Sequence, residues 1–210
     1  MAKEPHEILV ATTNPGKVRE LRALLGDLVQ WKSLADLPGV EEVKEDGTTF
    51  AENARKKALG YARATGLWTL ADDSGLVVDA LDGAPGVNSA RFSGDKAKGA
   101  DRHVVDRRNW EKLLSLLEGV PHEKRTARFV CCLCLASPRE VLIETQGTVE
   151  GLITTAPAGT GGFGYDPVFL IPPLGRTVAQ LHDDEKNALS HRGNAMRKLK
   201  PLLLKLLARS

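Results

Sequence analysis

Thr69-Leu70-Ala71-Asp72-Asp73-Ser74-Gly75-Leu76-Val77-Val78 sets two short apolar runs on either side of two acids, a hydroxyl and a glycine. Each run is long enough for a β-strand and the polar centre is made of turn-forming residue types. The stretch therefore predicts a strand–turn–strand corner whose buried flanks hold a rigid polar tip. Side-by-side carboxylates repel and suit a plain turn poorly. They become useful where a hard cation such as Mg²⁺ sits, because it takes oxygen ligands and usually arrives with a phosphate-bearing substrate. One carboxylate can then hold the metal while it or its neighbour takes a proton from water. Alone, the tetrapeptide Asp72–Gly75 is equally an Asx-type turn with solvated acids, so the rest of the chain has to decide.

Around this corner the chain has 210 residues, enough for one good core or one domain with two lobes. With 42% apolar and 27% charged residues it has the composition of a soluble globular protein. A net charge of +2 is too small to attract nucleic acid or membrane by itself, so anions must be recognised by local placement. Met1–His6 is polar and unlike a signal peptide, and no apolar run approaches bilayer-spanning length. Cys131, Cys132 and Cys134 lie within one apolar run, where they read as small core residues of a buried strand, not as a zinc set. A reduced, cytoplasmic setting is the fitting expectation.

Glu7–Ala11 predicts a first strand, broken at Thr12-Thr13-Asn14-Pro15-Gly16, after which Lys17–Leu25 predicts an amphipathic helix stopping at Gly26. That layout points backbone N–H groups and a helix N-terminus at an anion, with Lys17 adding charge. It lacks the spacing of a Walker A loop. Leu34–Val43 reads as short strand or loop. Thr49-Phe50-Ala51-Glu52 has the capping-box pattern for a helix to about Thr65, closed by Gly66. Asn53 and Lys57 share one face of it, which beside Arg55 and Lys56 reads as solvated. The Gly-, Pro- and Ser-rich run Asp82–Gly94 is long enough for a functional loop. Arg102–Glu118 predicts a helix with nothing catalytic on it, and Arg125–Ala136 and Glu140–Val149 predict paired strands.

Gly159-Thr160-Gly161-Gly162-Phe163-Gly164-Tyr165-Asp166-Pro167 formally contains G-x-G-x-x-G, yet Pro167, Pro172 and Pro173 forbid the helix that a dinucleotide fingerprint must open. It reads instead as a loop whose glycines let backbone approach a ligand, with Phe163 and Tyr165 offering ring faces to a base. Ser190-His191-Arg192-Gly193 precedes a last helix with an apolar stripe of Met196, Leu199, Leu203 and Leu206. Lys186, His191 and Arg192 near that helix start oppose its dipole, so an anion or acceptor should compensate them.

Taken together and in order, these blocks resemble the inosine/xanthosine triphosphate pyrophosphatases from Ile8 to Arg192. The blocks are Ala11–Lys17, Thr49–Ala54 with Lys57, Ala71–Leu76, Gly83–Gly86 with Ser89–Gly94, Gly159–Pro167 and Ser190–Gly193. The resemblance implies an α/β fold: an elongated mixed sheet flanked by helices, in two lobes with a cleft, as one domain over residues 1–210 and usually a homodimer. It implies Mg²⁺-dependent hydrolysis of ITP, dITP and XTP between the α- and β-phosphates. Asp73 would be proton acceptor and metal ligand, with Asp72 in support. Glu45 would be the second metal carboxylate; many members carry Glu-Glu-Thr-Gly where this chain has Lys44-Glu45-Asp46-Gly47. Thr12, Thr13, Asn14, Pro15, Gly16, Lys17, Lys57 and Ser74 would hold the triphosphate. Phe163, Gly164, Tyr165, Asp166, Lys186, His191 and Arg192 would bind the base and sugar end.

Base choice should follow hydrogen-bond polarity. Hypoxanthine and xanthine present an acceptor at O6 where adenine presents an amino donor. A lysine or arginine can donate to O6 and cannot accept. Two other readings stand beside this one: a pyrophosphatase for modified pyrimidine triphosphates, and a non-catalytic nucleotide-binding module. The second leaves Asp72 and Asp73 without a purpose. Cations scattered along the chain argue against a nucleic-acid partner.

Overall fold

The computed structural model describes residues 6–12, 15–26, 28–94 and 101–209, apart from the side chains of 15–17, 20, 183, 184 and 187. In chain order the elements are β1 (Glu7–Val10), α1 (Pro15–Leu25), β2 (Gln30–Ser33), α2 (Phe50–Thr65), β3 (Trp68–Val78) and α3 (Arg102–Leu116). They continue with β4 (Thr126–Ala136), β5 (Val141–Ile153), β6 (Phe169–Ile171), β7 (Arg176–Thr177), α4 (Asp183–Leu189) and α5 (His191–Leu207). The strands form one seven-stranded sheet in the order β2-β1-β3-β4-β5-β6-β7. β1 runs parallel to β2 and β3, while β6 runs antiparallel to β5 and β7. The expected mixed sheet with helices is what the chain forms.

The corner expected at Asp72–Ser74 does not exist. β3 passes without a break from Trp68 through the acids to Val78. The polar centre is a change of surroundings along one strand. Leu70 belongs to one apolar core and Leu76 to another, with the half-buried Asp72–Gly75 between them. Consecutive side chains on a strand point to opposite faces, so Asp72 and Asp73 are held apart without any turn.

The chain divides into two compact units, the first comprising Met1–Asp73, Cys131–Gly147 and Arg192–Ser210 and the second Ser74–Val130 and Thr148–His191. In the first unit, Ile8, Val10, Leu70, Cys131, Leu133 and Leu135 pack with Leu21 and Leu25 of α1 and with Ala195, Met196, Leu199 and Leu203 of α5. The stripe expected on the last helix is therefore core, with Leu206 only partly buried. α2 lies against the opposite face. Its N-cap Thr49 accepts from the Glu52 N–H at 3.1 Å, and Gly66 closes it at φ 75°. The reciprocal half of the capping box is shifted by one residue: the Glu52 carboxylate takes the Thr48 N–H and hydroxyl at 2.7 and 2.8 Å.

The second unit packs Leu76, Val78, Ile153, Val168 and Phe169 against Leu113 of α3 and Leu117 just past its end. Arg125 is 3% exposed, and its guanidinium donates to the carbonyls of Ile153, Leu117 and Thr154, each at 2.8 Å. These bonds cap the end of α3 and stitch it to the end of β5. The prolines after Asp166 act as expected, since only short 3-10 turns and β6 form between Asp166 and Leu174.

Candidate active site

The first unit gathers its polar side chains around Asp73. Asn53, on the sheet-facing side of α2, is 2% exposed. Its Nδ2 donates to Asp73 Oδ2 at 3.1 Å, and its Oδ1 accepts the Gly47 N–H at 2.7 Å. Gly47 is required there, because a Cβ would stand 2.7 Å from that Oδ1. One turn along α2, the Lys57 ammonium lies 3.7 Å from Asp73 Oδ1 and 3.2 Å from Glu45 Oε2, its side chain only 12% exposed. The face read from sequence as solvated is thus turned inward. Arg55 and Lys56 are the solvated residues, paired with Glu144 and Asp46.

Burial pushes the Asp73 carboxyl above the ordinary carboxylate range; Lys57 and the Asn53 hydrogen bond pull it down but do not cancel the effect. A carboxyl so raised is better matched to accepting a proton near neutrality than a solvated one. Asp72 lies on the other face of β3, and its charge adds to the upward push on the Asp73 carboxyl. The Asp72 Oδ2 lies 3.4 Å from a terminal nitrogen of Arg192 at the start of α5, with both side chains nearly buried. This carboxylate is the acceptor that compensates a cation at a helix N-terminus.

The chemistry of the donors suits a hard divalent ion. Asp73 and Glu45 are both carboxylates within reach of one cation, the Lys57 ammonium. Lys44, which takes the place of an acid, turns to Asp46 at 3.1 Å. Among the described residues no group of three or more His, Cys, Asp or Glu forms an all-protein cage. Mg²⁺ characteristically binds through one or two carboxylates and completes its shell with phosphate and water.

Thr12 lies two residues past the end of β1, its N–H donating to the Val10 carbonyl and its own carbonyl accepting from the Leu34 N–H. Thr13 and Asn14 lie outside the described residues. Pro15, Gly16 and Lys17 form the first turn of α1, two residues earlier than the periodicity indicates, with side chains outside the description. Ser74 is half-buried in β3, next to Asp73.

The second unit holds the glycine loop. Asp166 is 5% exposed; it accepts the Phe163 N–H at 3.0 Å and pairs with the Lys186 ammonium from α4. Burial drives the Asp166 carboxyl upward and Lys186 opposes it. A Cβ on Gly162 would fall 2.1 Å from the same Asp166 oxygen, so only glycine lets the backbone come this close. Lys186 also stands 4.9 Å from the centroid of the Phe163 ring, which is 54% exposed, whereas Tyr165 is buried and donates its hydroxyl to the Ser89 carbonyl. Phe163 therefore offers a ring face and Tyr165 is an anchor. The His191 ring stacks on that of Phe129, with centroids 5.2 Å apart.

Two residues passed over in the sequence stand out in the structure. Asn53 carried a detectable signal, an amide spaced four from Lys57 and set beside Ala54 and Ala58. Asp106 carried none, since a carboxylate four residues after Arg102 looks like an ordinary helix-surface pair.

A profile of the Ham1 family matches residues 8–202, all but the ends of the chain. The chain belongs to the Ham1 family. The dITP/XTP pyrophosphatase of Geobacter sulfurreducens is 53% identical over 92% of this chain and 94% of its own length. Among solved structures, the HAM1 protein of Coxiella burnetii superposes with a TM-score of 0.86 at 39% identity, covering 95% of this chain and 99% of that one. A nucleoside-triphosphatase / dITP/XTP pyrophosphatase of Mycobacterium abscessus superposes at 0.78 with 44% identity, covering 93% and 99%. The Ham1 family thus accounts for the mixed sheet and the order of the motifs along it.

Proposed function

We propose that this Ham1-family chain hydrolyses non-standard purine nucleoside triphosphates, ITP, dITP and XTP, to the monophosphate and pyrophosphate. The observation that carries the reading is Asp73, a half-buried carboxylate with a raised affinity for its proton, fixed by Asn53 and set beside Lys57. The names of the relatives point to the same reaction. Asp73 accepts a proton from a water whose oxygen bonds to the α-phosphorus. The bond from that phosphorus to the bridging oxygen breaks, and pyrophosphate leaves. Lys57, with the Thr12–Lys17 segment and Ser74, offsets triphosphate charge. Asp73 and Glu45 are the residues that would hold Mg²⁺, which when bound supplies further positive charge to the phosphates.

At the base end, Lys186 is oriented by Asp166, and its other N–H groups can donate to O6 of hypoxanthine or xanthine. Adenine would set a donor against a donor, a mismatch costing on the order of 1–3 kcal/mol when buried. Phe163 supplies the stacking face. His191 and Arg192 fall at the same end by resemblance, the latter oriented by Asp72. Residues 1–210 are read as one catalytic domain working as a homodimer in the cytoplasm. Among the described residues no helix is long and apolar enough to cross a membrane.

The test offers ITP, dITP, XTP, GTP, ATP and a modified pyrimidine triphosphate with Mg²⁺ and identifies the released anion. Pyrophosphate from the deaminated purines is the expected product. Orthophosphate first, equal turnover of ATP, or preference for the pyrimidine rejects the reading. Sedimentation velocity reports the dimer.

A further inference from the structure

Helix α3 was read from sequence as a packing element, yet its polar side chains grip two loops. Asn109 is 1% exposed and accepts the Ser93 N–H at 2.7 Å, while the Lys112 ammonium donates to the Phe92 carbonyl at 2.7 Å. On the same helix Asp106 is 7% exposed, and its Oδ2 accepts the Gly164 N–H at 2.8 Å. Arg102, one turn earlier on α3, lies 3.5 Å from the other Asp106 oxygen.

Gly164 sits between Phe163 and Tyr165, at φ 62°, in a run that also has left-handed glycines at 159 and 162. Glycine-rich backbone loses the most conformational freedom when it is ordered, so such a loop holds one shape only where it is tied down. Among the described residues the loop is tied at its ends, where the Ala158 N–H donates to the Pro167 carbonyl and the Thr177 hydroxyl to the Ala158 carbonyl, and at points within it. Gly161 N–H donates to the Ala179 carbonyl, Tyr165 hydroxyl to the Ser89 carbonyl, and Phe163 N–H to Asp166. The Gly164 bond is the one that a buried carboxylate from outside the loop makes to its backbone, and charge-assisted bonds of this type are about twice as strong as neutral ones.

We propose that Asp106 is a positioning residue for base recognition: by holding the Gly164 N–H it fixes the loop that presents Phe163 and orients Asp166 and Lys186 toward the purine. This rests on the function proposed above. Asp106 touches no substrate in this scheme, and the hydrolytic group Asp73 belongs to the other unit, so loss of Asp106 acts on binding and selectivity before turnover.

The experiment measures kcat and KM for ITP and ATP with parent, Asp106→Ala and Asp106→Asn. In Asp106→Ala the KM for ITP rises roughly tenfold or more, as expected for a lost charge-assisted bond. kcat stays within about twofold, and the ITP/ATP ratio of kcat/KM falls, because an unfixed Lys186 no longer distinguishes O6 from an amino group. Asp106→Asn keeps an oxygen acceptor and recovers most of the loss. Hydrogen exchange over residues 159–167 rises in the alanine variant while exchange across β3 does not.

If the alanine variant fails to fold, Asp106→Leu, which keeps the side chain's volume and removes the acceptor, takes its place in the kinetic and exchange measurements. Unchanged loop exchange, an unchanged ITP/ATP ratio, or a fall in kcat at constant KM overturns the proposal. A parent enzyme that turns over neither nucleotide overturns the proposed function instead, so the two failures are distinct.

Discussion

Replacing Asn53 by alanine tests the construction of the Asp73 site most directly. The side chain is 2% exposed and makes one bond to a neutral donor, Gly47 N–H at 2.7 Å, and one to a carboxylate, Asp73 at 3.1 Å. A neutral bond contributes about 1 kcal/mol and one to a charged group about 1.5–3. Alanine recovers up to about 0.7 kcal/mol through helix propensity. The two bonds share a residue and do not simply add, so the expected loss is about 2–3 kcal/mol, or roughly 5–10 °C in melting temperature for a chain of this size. Activity should change in a specific direction. Asn53 is one of the groups holding the Asp73 proton affinity down, so without it burial acts with less opposition and the acid limb of kcat/KM moves to higher pH.

Asn53→Asp separates the two roles. It keeps an acceptor for Gly47 while setting a second carboxylate against Asp73, so the acid limb should move further than in Asn53→Ala. Urea denaturation gives the stability, and pyrophosphate release from ITP across pH gives the limb. A stability loss below about 0.5 kcal/mol, or an acid limb that stays in place in both variants, would refute the reasoning.

Asp73→Asn should abolish most turnover, by roughly 10²–10⁴-fold, while raising stability at neutral pH. Burial raises the folded carboxyl above its ordinary value of 3.8, so the folded state holds the proton more tightly and stability falls as pH climbs through that window. Denaturation curves of parent and variant should diverge above the window and converge below about pH 3. Asp72→Ala should cost about 1–2 kcal/mol, because the 3.4 Å contact with Arg192 is long for a bond between charged groups, and should reduce kcat/KM less than Asp73→Asn does. A double-mutant cycle with Arg192→Met measures the coupling. Arg125→Met should cost at least about 3 kcal/mol in denaturation, since three bonds from a buried charged donor are lost, and leave KM for ITP unchanged.

Local chemistry was legible where it is written in neighbouring residues. The Thr49 cap, the Gly66 stop and the proline block after Asp166 follow from positions a few residues apart. The motif order from Ile8 to Arg192 likewise sufficed for the family. What was not legible depends on partners distant in sequence. Whether Asp72-Asp73-Ser74-Gly75 is a bend or the middle of a strand turns on α2 and α5, which receive the two acids from opposite sides; Arg192 lies 120 residues from Asp72. The burial of Asn53 depends on Asp73 and Gly47, neither on its helix. β6 and β7, with three and two residues, are too short to show alternation and exist through their pairing with each other and with β5. Asp106 became meaningful only when a glycine 58 residues later came to rest on it.

Parity along β3 has a lasting consequence. The pairing Ile8 with Trp68, Leu9 with Thr69 and Val10 with Leu70 decides which acid looks toward Lys57 and which toward Arg192. A slip of a single position, or one inserted residue upstream of Asp72, would exchange their destinations and turn the apolar neighbours over as well. Hydrolysis in this chain is therefore hostage to an odd-or-even choice made when β3 docks beside β1, and misregistered molecules are silenced at the point of assembly.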